Sequence, residues 1–91
     1  MAETLSLEGK LDLSAVPQLH DDLMACAGKD VIVSLAKVTQ LGALCVQTLI
    51  AAANSARGGG HDFTLAEPSD RVLGQLAAMG MTPEMIMEGS E

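Results

Sequence analysis

Apolar and polar residues alternate on both sides of a turn signal near the start of the chain. Leu5 and Leu7 precede residues 8–10, which read Glu-Gly-Lys, and Leu11 and Leu13 follow them. Alternation with a period of two is typical of half-buried strands, and a glycine between polar residues is typical of a tight turn. The pattern predicts an N-terminal β-hairpin.

Three later segments carry apolar residues at helical spacing. The first follows Ser14, a candidate N-cap, and ends at Gly28; the second lies between Gly42 and the three glycines 58–60; the third follows Ser69 and ends at Gly80. Their apolar stripes comprise Val16, Leu19, Leu23 and Cys26; then Cys45, Leu49, Ala52, Ala53 and Ala56; then Val72, Leu73, Leu76, Ala77 and Met79.

Two short runs are mostly apolar. Residues 30–35 and 62–66 are rich in β-branched and aliphatic side chains, which predicts buried strands of a sheet covered by helices. Residues 36–42 are expected to connect a strand to the second helix, and residues 85–87 to form a short edge strand before a polar tail at 88–91.

The order of these elements predicts an α/β fold. Strands that alternate with helices imply parallel pairing through crossover helices, and the hairpin would add an antiparallel pair. We therefore expect a small mixed sheet, an N-terminal hairpin plus parallel strands, with three to four helices packed on it. The 91 residues are enough for one core, so a single domain over 1–91 is expected.

Charge and composition exclude several classes of function. Twelve acidic against five basic residues give a net charge of −7, which disfavours binding to nucleic acid or to anionic lipid. No apolar run approaches the roughly 20 residues of a membrane span, and the first residues lack a basic leader. The sequence predicts a cytoplasmic protein without direct membrane insertion.

Residues with catalytic chemistry are sparse and scattered. Cys26 and Cys45 lie on apolar stripes, so reduced core thiols are expected. His20 and His61 lie far apart in sequence, and glycines 58–60 follow a helix and precede a strand, the reverse of a phosphate-binding loop. We predict no enzyme activity, metal or cofactor.

A C-terminal methionine cluster, Met79, Met81, Met85 and Met87, is expected to fill the core or, if exposed together, to bind a partner.

The order of elements, with several short motifs, resembles the STAS family of anti-sigma factor antagonists and sulphate-transporter tails. The similarity covers nearly the whole chain. Its motifs are Gly-Lys-Leu-Asp at residues 9–12, the apolar strand at 31–35, the helix that begins after Gly42, and a final helix ending near Gly80.

The resemblance places the phosphorylated serine of the family at Ala43. The aspartate before that serine corresponds to Gly42, the serine after it to Leu44, and the following glycine to Cys45. Alanine has no hydroxyl group, so a switch that adds a phosphate at this position cannot operate.

The same segment is expected to bind a partner protein. A helix that starts after Gly42 would leave free N–H groups and the positive end of its dipole, and small residues would let another chain approach. A tight loop in which small residues simply fit is the alternative. The predicted partner-binding residues are Asp12, Ser14, Gln40, Leu41, Gly42, Ala43, Leu44, Gln47 and Thr48.

Residues 41–47 are also similar to a divergent STAS subgroup of alphaproteobacterial chemotaxis clusters. That similarity implies a signalling adaptor that binds a kinase, with the chemotaxis histidine kinase as the expected partner. Two alternatives need the same domain and differ in the partner: an anti-sigma factor antagonist that acts by partner switching through the same surface, and a STAS subunit of a lipid-transport ATPase complex.

Overall fold

The sheet consists of three parallel strands that lie side by side in sequence order, β1 (Glu3–Leu11), β2 (Val31–Leu41) and β3 (Phe63–Ala66). Within the described part of the chain, a 3-10 turn (Leu13–Ala15) precedes four α-helices, α1 (Val16–Ala25), α2 (Ala43–Gly58), α3 (Asp70–Ala78) and α4 (Pro83–Glu88). This computed structural model describes residues 2–88. The two ends of the predicted domain, and the predicted tail after Glu88, lie outside the described residues.

The predicted α/β class is confirmed. Helix α1 links β1 to β2, and α2 links β2 to β3, so each parallel pair is joined by a crossover helix. Within residues 2–88, no helix combines the length and the apolar character needed to cross a bilayer.

The predicted N-terminal hairpin is wrong, because residues 3–11 form one strand. β1 pairs in parallel with β2 from Glu3 opposite Val31 to Leu11 opposite Leu41, with register shifts after Ser6 and after Gly9. Gly9 has a φ of +78°, the left-handed conformation that its turn signal indicated. Here that conformation accommodates an irregularity within the strand and not a reversal of the chain.

Strand β2 is longer than predicted, since residues 36–41 continue it. Val38 and Leu41 are each 3% exposed, so the side chains of this half of the strand also contribute to the hydrophobic core. β3 pairs only with residues 31–34, so it does not cover the second half of β2. Helix α3 packs there, and the Gln75 side-chain oxygen accepts a hydrogen bond of 2.6 Å from the Leu41 N–H.

The core is aliphatic and lies between the sheet and the helices. Val31, Val33 and Leu35 of β2 are buried, while Ile32 and Ser34 between them are half-buried, so one face of the strand meets the helices. Both cysteines are free thiols within this core, as expected. Met81 and Met87 pack against it, whereas Met79 and Met85 are exposed.

The predicted edge strand at 85–87 is wrong, because these residues belong to α4. Pro83 occupies the first helical position, which suits its fixed φ, and the Thr82 hydroxyl accepts a hydrogen bond of 3.2 Å from the Met85 N–H. Ile86 is fully buried, and α4 contacts both α2 and β3. A short apolar run without a clear period is compatible with either structure.

We expect Ile86→Ala to destabilise the fold, because it removes a fully buried side chain under α4. The expected cost is about 2–5 kcal/mol of unfolding free energy. Urea denaturation followed by far-ultraviolet circular dichroism measures it. Met85→Ala, at the exposed neighbouring position, is the control and should cost less than about 1 kcal/mol. Equal losses in the two variants would contradict the buried packing of α4.

Candidate partner-binding site

The candidate site lies where the carboxyl ends of β1 and β2 meet. Leu11 and Leu41 are paired across the two strands, so Asp12 and Gly42, which follow them, come together. The Gly42 N–H donates a hydrogen bond of 2.8 Å to the Leu11 carbonyl. This bond fixes the end of β1 to the start of α2, although the two segments are separated in sequence by about a third of the chain.

Gly42 is the whole connection between β2 and α2, and its lack of a side chain has a spatial reason. A Cβ at this position would lie 3.1 Å from the Leu11 carbonyl oxygen and 3.7 Å from the Asp12 Cα. Its φ of −83° is open to any residue, so conformation does not demand glycine here. The close approach of β1 favours glycine, because a Cβ would require the neighbouring backbone to shift by a few tenths of an ångström.

Asp12 organises the turn that leads from β1 into α1. Its carboxylate accepts hydrogen bonds from the Ser14 hydroxyl at 2.6 Å and the Ser14 N–H at 3.0 Å. The hydroxyl bond is the main reason that the pKa of Asp12 lies below its usual value. The predicted N-cap is therefore corrected: Asp12 caps the 3-10 turn, and Ser14 donates to it.

Cys45 lies beneath the site in the core. Its side chain is fully buried, and its thiol donates a hydrogen bond of 3.4 Å to the Asp12 main-chain carbonyl. Burial raises the pKa of the Cys45 thiol, and the nearby Asp12 carboxylate raises it further. A thiol held in its neutral form and shielded from solvent is a poor nucleophile, so Cys45 has a packing role.

The N-terminus of α2 faces outward without a cap. Gly42 at the N-cap position offers no side-chain acceptor, and the first turn contains no acidic residue. Ala43 is exposed, and Leu44 is 53% exposed although it is large and apolar. The first N–H groups of a helix have no partner within it, so this end offers donors beside an apolar surface.

The other predicted site residues differ in what they can offer. Gln40 is exposed on β2 opposite Lys10, and Gln47 is exposed on α2. The half-buried Thr48 donates its hydroxyl to the Leu44 carbonyl at 2.8 Å. Leu41 is 3% exposed, so its side chain belongs to the core, and we leave it out of the surface.

Sequence reasoning missed Leu13, which is 69% exposed in the turn beside the site. The predicted hairpin placed it on a half-buried strand. The spacing Asp-x-Ser at residues 12–14 is a signal for a side-chain-capped turn, and it indicates that the residue between them leaves the strand. The apolar alternation predicts a strand at Leu13 and the Asp-x-Ser spacing predicts a turn, and the structure has the turn.

Comparison with known families agrees with this architecture. A family model described as STAS_2, "Mlab, STAS domain", matches residues 1–87. The chain belongs to the STAS family. No curated protein matches the chain significantly.

STAS domains commonly interact with partner proteins, and membership suggests a role in anti-sigma factor antagonist-like signalling or partner switching. In this STAS domain, the residue at the expected phosphoacceptor position is the first residue of α2, Ala43, and it is exposed. The position is therefore accessible and yet has no group that accepts a phosphate.

Removal of the Ser14 hydroxyl should raise the pKa of Asp12 toward its usual value of 3.8. A lowered pKa in the folded state contributes stability above the unfolded-state pKa, and this contribution is lost as the pH falls through the folded-state pKa. Ser14→Ala should therefore be less stable than the parent at neutral pH, and the difference should shrink in acid. Carboxyl ¹³C NMR titration reports the pKa directly.

Ser6→Ala, at an exposed position in the middle of β1, is the control for this titration. It should leave the Asp12 pKa unchanged. An Asp12 pKa that stays the same in Ser14→Ala would show that the hydroxyl is not what holds the carboxylate in its charged form.

Proposed function

We propose that this STAS domain is a non-enzymatic adaptor that binds a partner protein through the N-terminal end of α2. The partner surface consists of Asp12, Leu13, Ser14, Gln40, Gly42, Ala43, Leu44, Gln47 and Thr48. The observation that carries the proposal is the exposure of two large apolar side chains, Leu44 at 53% in the first turn of the uncapped helix α2 and Leu13 at 69% in the 3-10 turn that contacts it.

The chemistry of this surface supports binding and not bond-making. Its carboxylate, on Asp12, is held by Ser14, and the nearby thiol of Cys45 is buried and neutral. What remains exposed is apolar area with a few amide and hydroxyl groups, the composition of a protein interface. These groups lie on a junction between β1 and α2 that is already ordered in the free protein. No flexible loop has to become ordered on binding, which lowers the entropic cost of association.

The partner that we propose is a signalling kinase of the chemotaxis histidine kinase type. The similarity of residues 41–47 to STAS loops of chemotaxis clusters supports this choice. Because Ala43 carries no hydroxyl, the adaptor would modulate phosphosignalling by occupying the kinase and not by being phosphorylated at that position.

A STAS subunit of a lipid-transport ATPase complex is the second candidate, and the same alanine favours it. A permanently bound subunit needs no phosphorylation switch, whereas an anti-sigma factor antagonist that works by partner switching depends on one. The three possibilities differ in the partner and share the surface.

We expect Ala43→Glu to abolish capture of the purified partner, with an affinity loss of about 30-fold or more, as for an interface hot spot. Negative charge at the first position of a helix stabilises the helix, so the variant should remain folded. Binding is measured by calorimetry, in turn, with the chemotaxis kinase, an anti-sigma kinase and the transport ATPase of the source organism.

Ala77→Glu is the matched control, because it adds the same charge at an exposed position of α3. It should bind like the parent protein. If Ala43→Glu binds every captured partner as tightly as the parent does, the surface assignment is wrong. The identity of the protein that is bound decides among the three partner classes.

Incubation with the partner kinase and ATP should leave residues 39–48 unmodified. Mass spectrometry checks this, and stoichiometric phosphate on Thr39 or Thr48 would overturn the claim that the surface has no switch.

Ala43→Ser restores a hydroxyl at the family's phosphoacceptor position. An anti-sigma kinase should phosphorylate this variant at position 43, whereas the ATPase complex should bind it without modification.

A further inference from the structure

An open groove of about 380 Å³ separates α1 from α2. Val16, Leu23 and Met24 line it on one side, and Leu44, Ala51 and Ala52 line it on the other. Its volume falls within the usual range of small-molecule pockets, about 300–1,000 Å³. The groove exists because α2 turns small side chains toward α1 over residues 51–56, where larger ones would close the space.

The groove reaches the sheet. Its floor includes Val31 of β2 and Phe63 of β3, which are 4% and 6% exposed, so it descends between the helices to the sheet. Helices α1 and α2 contact each other and form its two walls. Most side chains along the walls and the floor are apolar, so a mainly apolar ligand suits the groove.

The charge of the lining is opposite to that of the protein. The chain contains twelve acidic and five basic residues, yet among the described residues that line the groove the charged side chain is the cation Lys29, and none is a carboxylate. Lys29 lies at the end where α1 passes into β2, and its Nζ contacts one carboxylate oxygen of Glu3 at 3.1 Å. An ammonium group has three donors, so Lys29 can also bind a ligand anion.

We propose that this groove binds a fatty carboxylate, with its unbranched aliphatic chain between α1 and α2 and its carboxylate at Lys29. Apolar walls favour the chain through the hydrophobic effect, and the position of the cation sets the direction of the ligand. The site extends along α2 beyond the partner surface, with which it shares Leu44, Gln47 and Thr48. The proposal does not depend on the identity of a partner protein.

Dodecanoate, kept below its micelle concentration, is the probe, and calorimetry with the full chain is the measurement. We expect saturable binding with one site per chain. Butyrate should give no saturation, because few methylene groups would be buried, and dodecylammonium should bind more weakly than dodecanoate. Equal binding of the two charged amphiphiles would leave no role for Lys29 and would overturn the proposed orientation.

Two variants test the site itself. Ala51→Phe places a ring in the groove from an exposed helical position and should weaken dodecanoate binding about tenfold or more, whereas Ala77→Phe on α3 should not change it. Lys29→Met keeps the aliphatic stem but removes the cation and should weaken binding about threefold, as expected for a partly exposed charge pair. Lys37→Met, outside the groove, is its control.

Circular dichroism confirms that each variant is folded, and Ala51→Phe should still bind the partner protein. Absence of dodecanoate binding to the parent chain overturns the proposal, as does unchanged binding by Ala51→Phe. Both outcomes are independent of the partner experiments with Ala43→Glu, so a failure of one hypothesis does not count against the other.

Discussion

The hydrogen bond from the Gly42 N–H to the Leu11 carbonyl joins the two parts of the chain from which the candidate site is made. It follows from the pairing of β1 and β2 to their ends, and the absence of a side chain at position 42 leaves room for it. A Cβ at this position would require the neighbouring backbone to shift by a few tenths of an ångström. The 3-10 turn at residues 13–15 contacts α2, so the turn and the exposed first turn of the helix lie side by side.

The unequal lengths of the strands determine how the helices surround this junction. β3 has four residues and β2 has eleven, so the second half of β2 would have an uncovered edge on the side of β3. Helix α3 occupies that place, and Gln75 accepts a hydrogen bond from the Leu41 N–H, the last residue of β2. The strand that leads into Gly42 is thereby held on both sides, by β1 and by α3.

Small side chains have two different consequences in α2. At its N-terminus, Gly42 allows the close approach of β1, and Ala43 leaves the first turn exposed at the surface that we propose for partner binding. Further along, the alanine-rich segment at residues 51–56 leaves the space that becomes the groove between α1 and α2. The large aliphatic side chains of the core lie elsewhere, so nothing on this stretch of α2 fills the gap and an apolar concavity remains open.

The sequence by itself determined the α/β class, the three long helices and two of the strands, because apolar periodicity, caps and glycines act over short distances. It also determined that position 43 offers no hydroxyl.

Tertiary structure decided the rest. Gly9 could mark a turn or an irregular strand, and only the pairing of residues 3–11 with β2 selects the strand. Residues 85–87 become helical because Ile86 is buried against the fold. Strand pairing and helix packing join residues far apart in sequence, so the Gln75 contact and the groove had no adequate local signal.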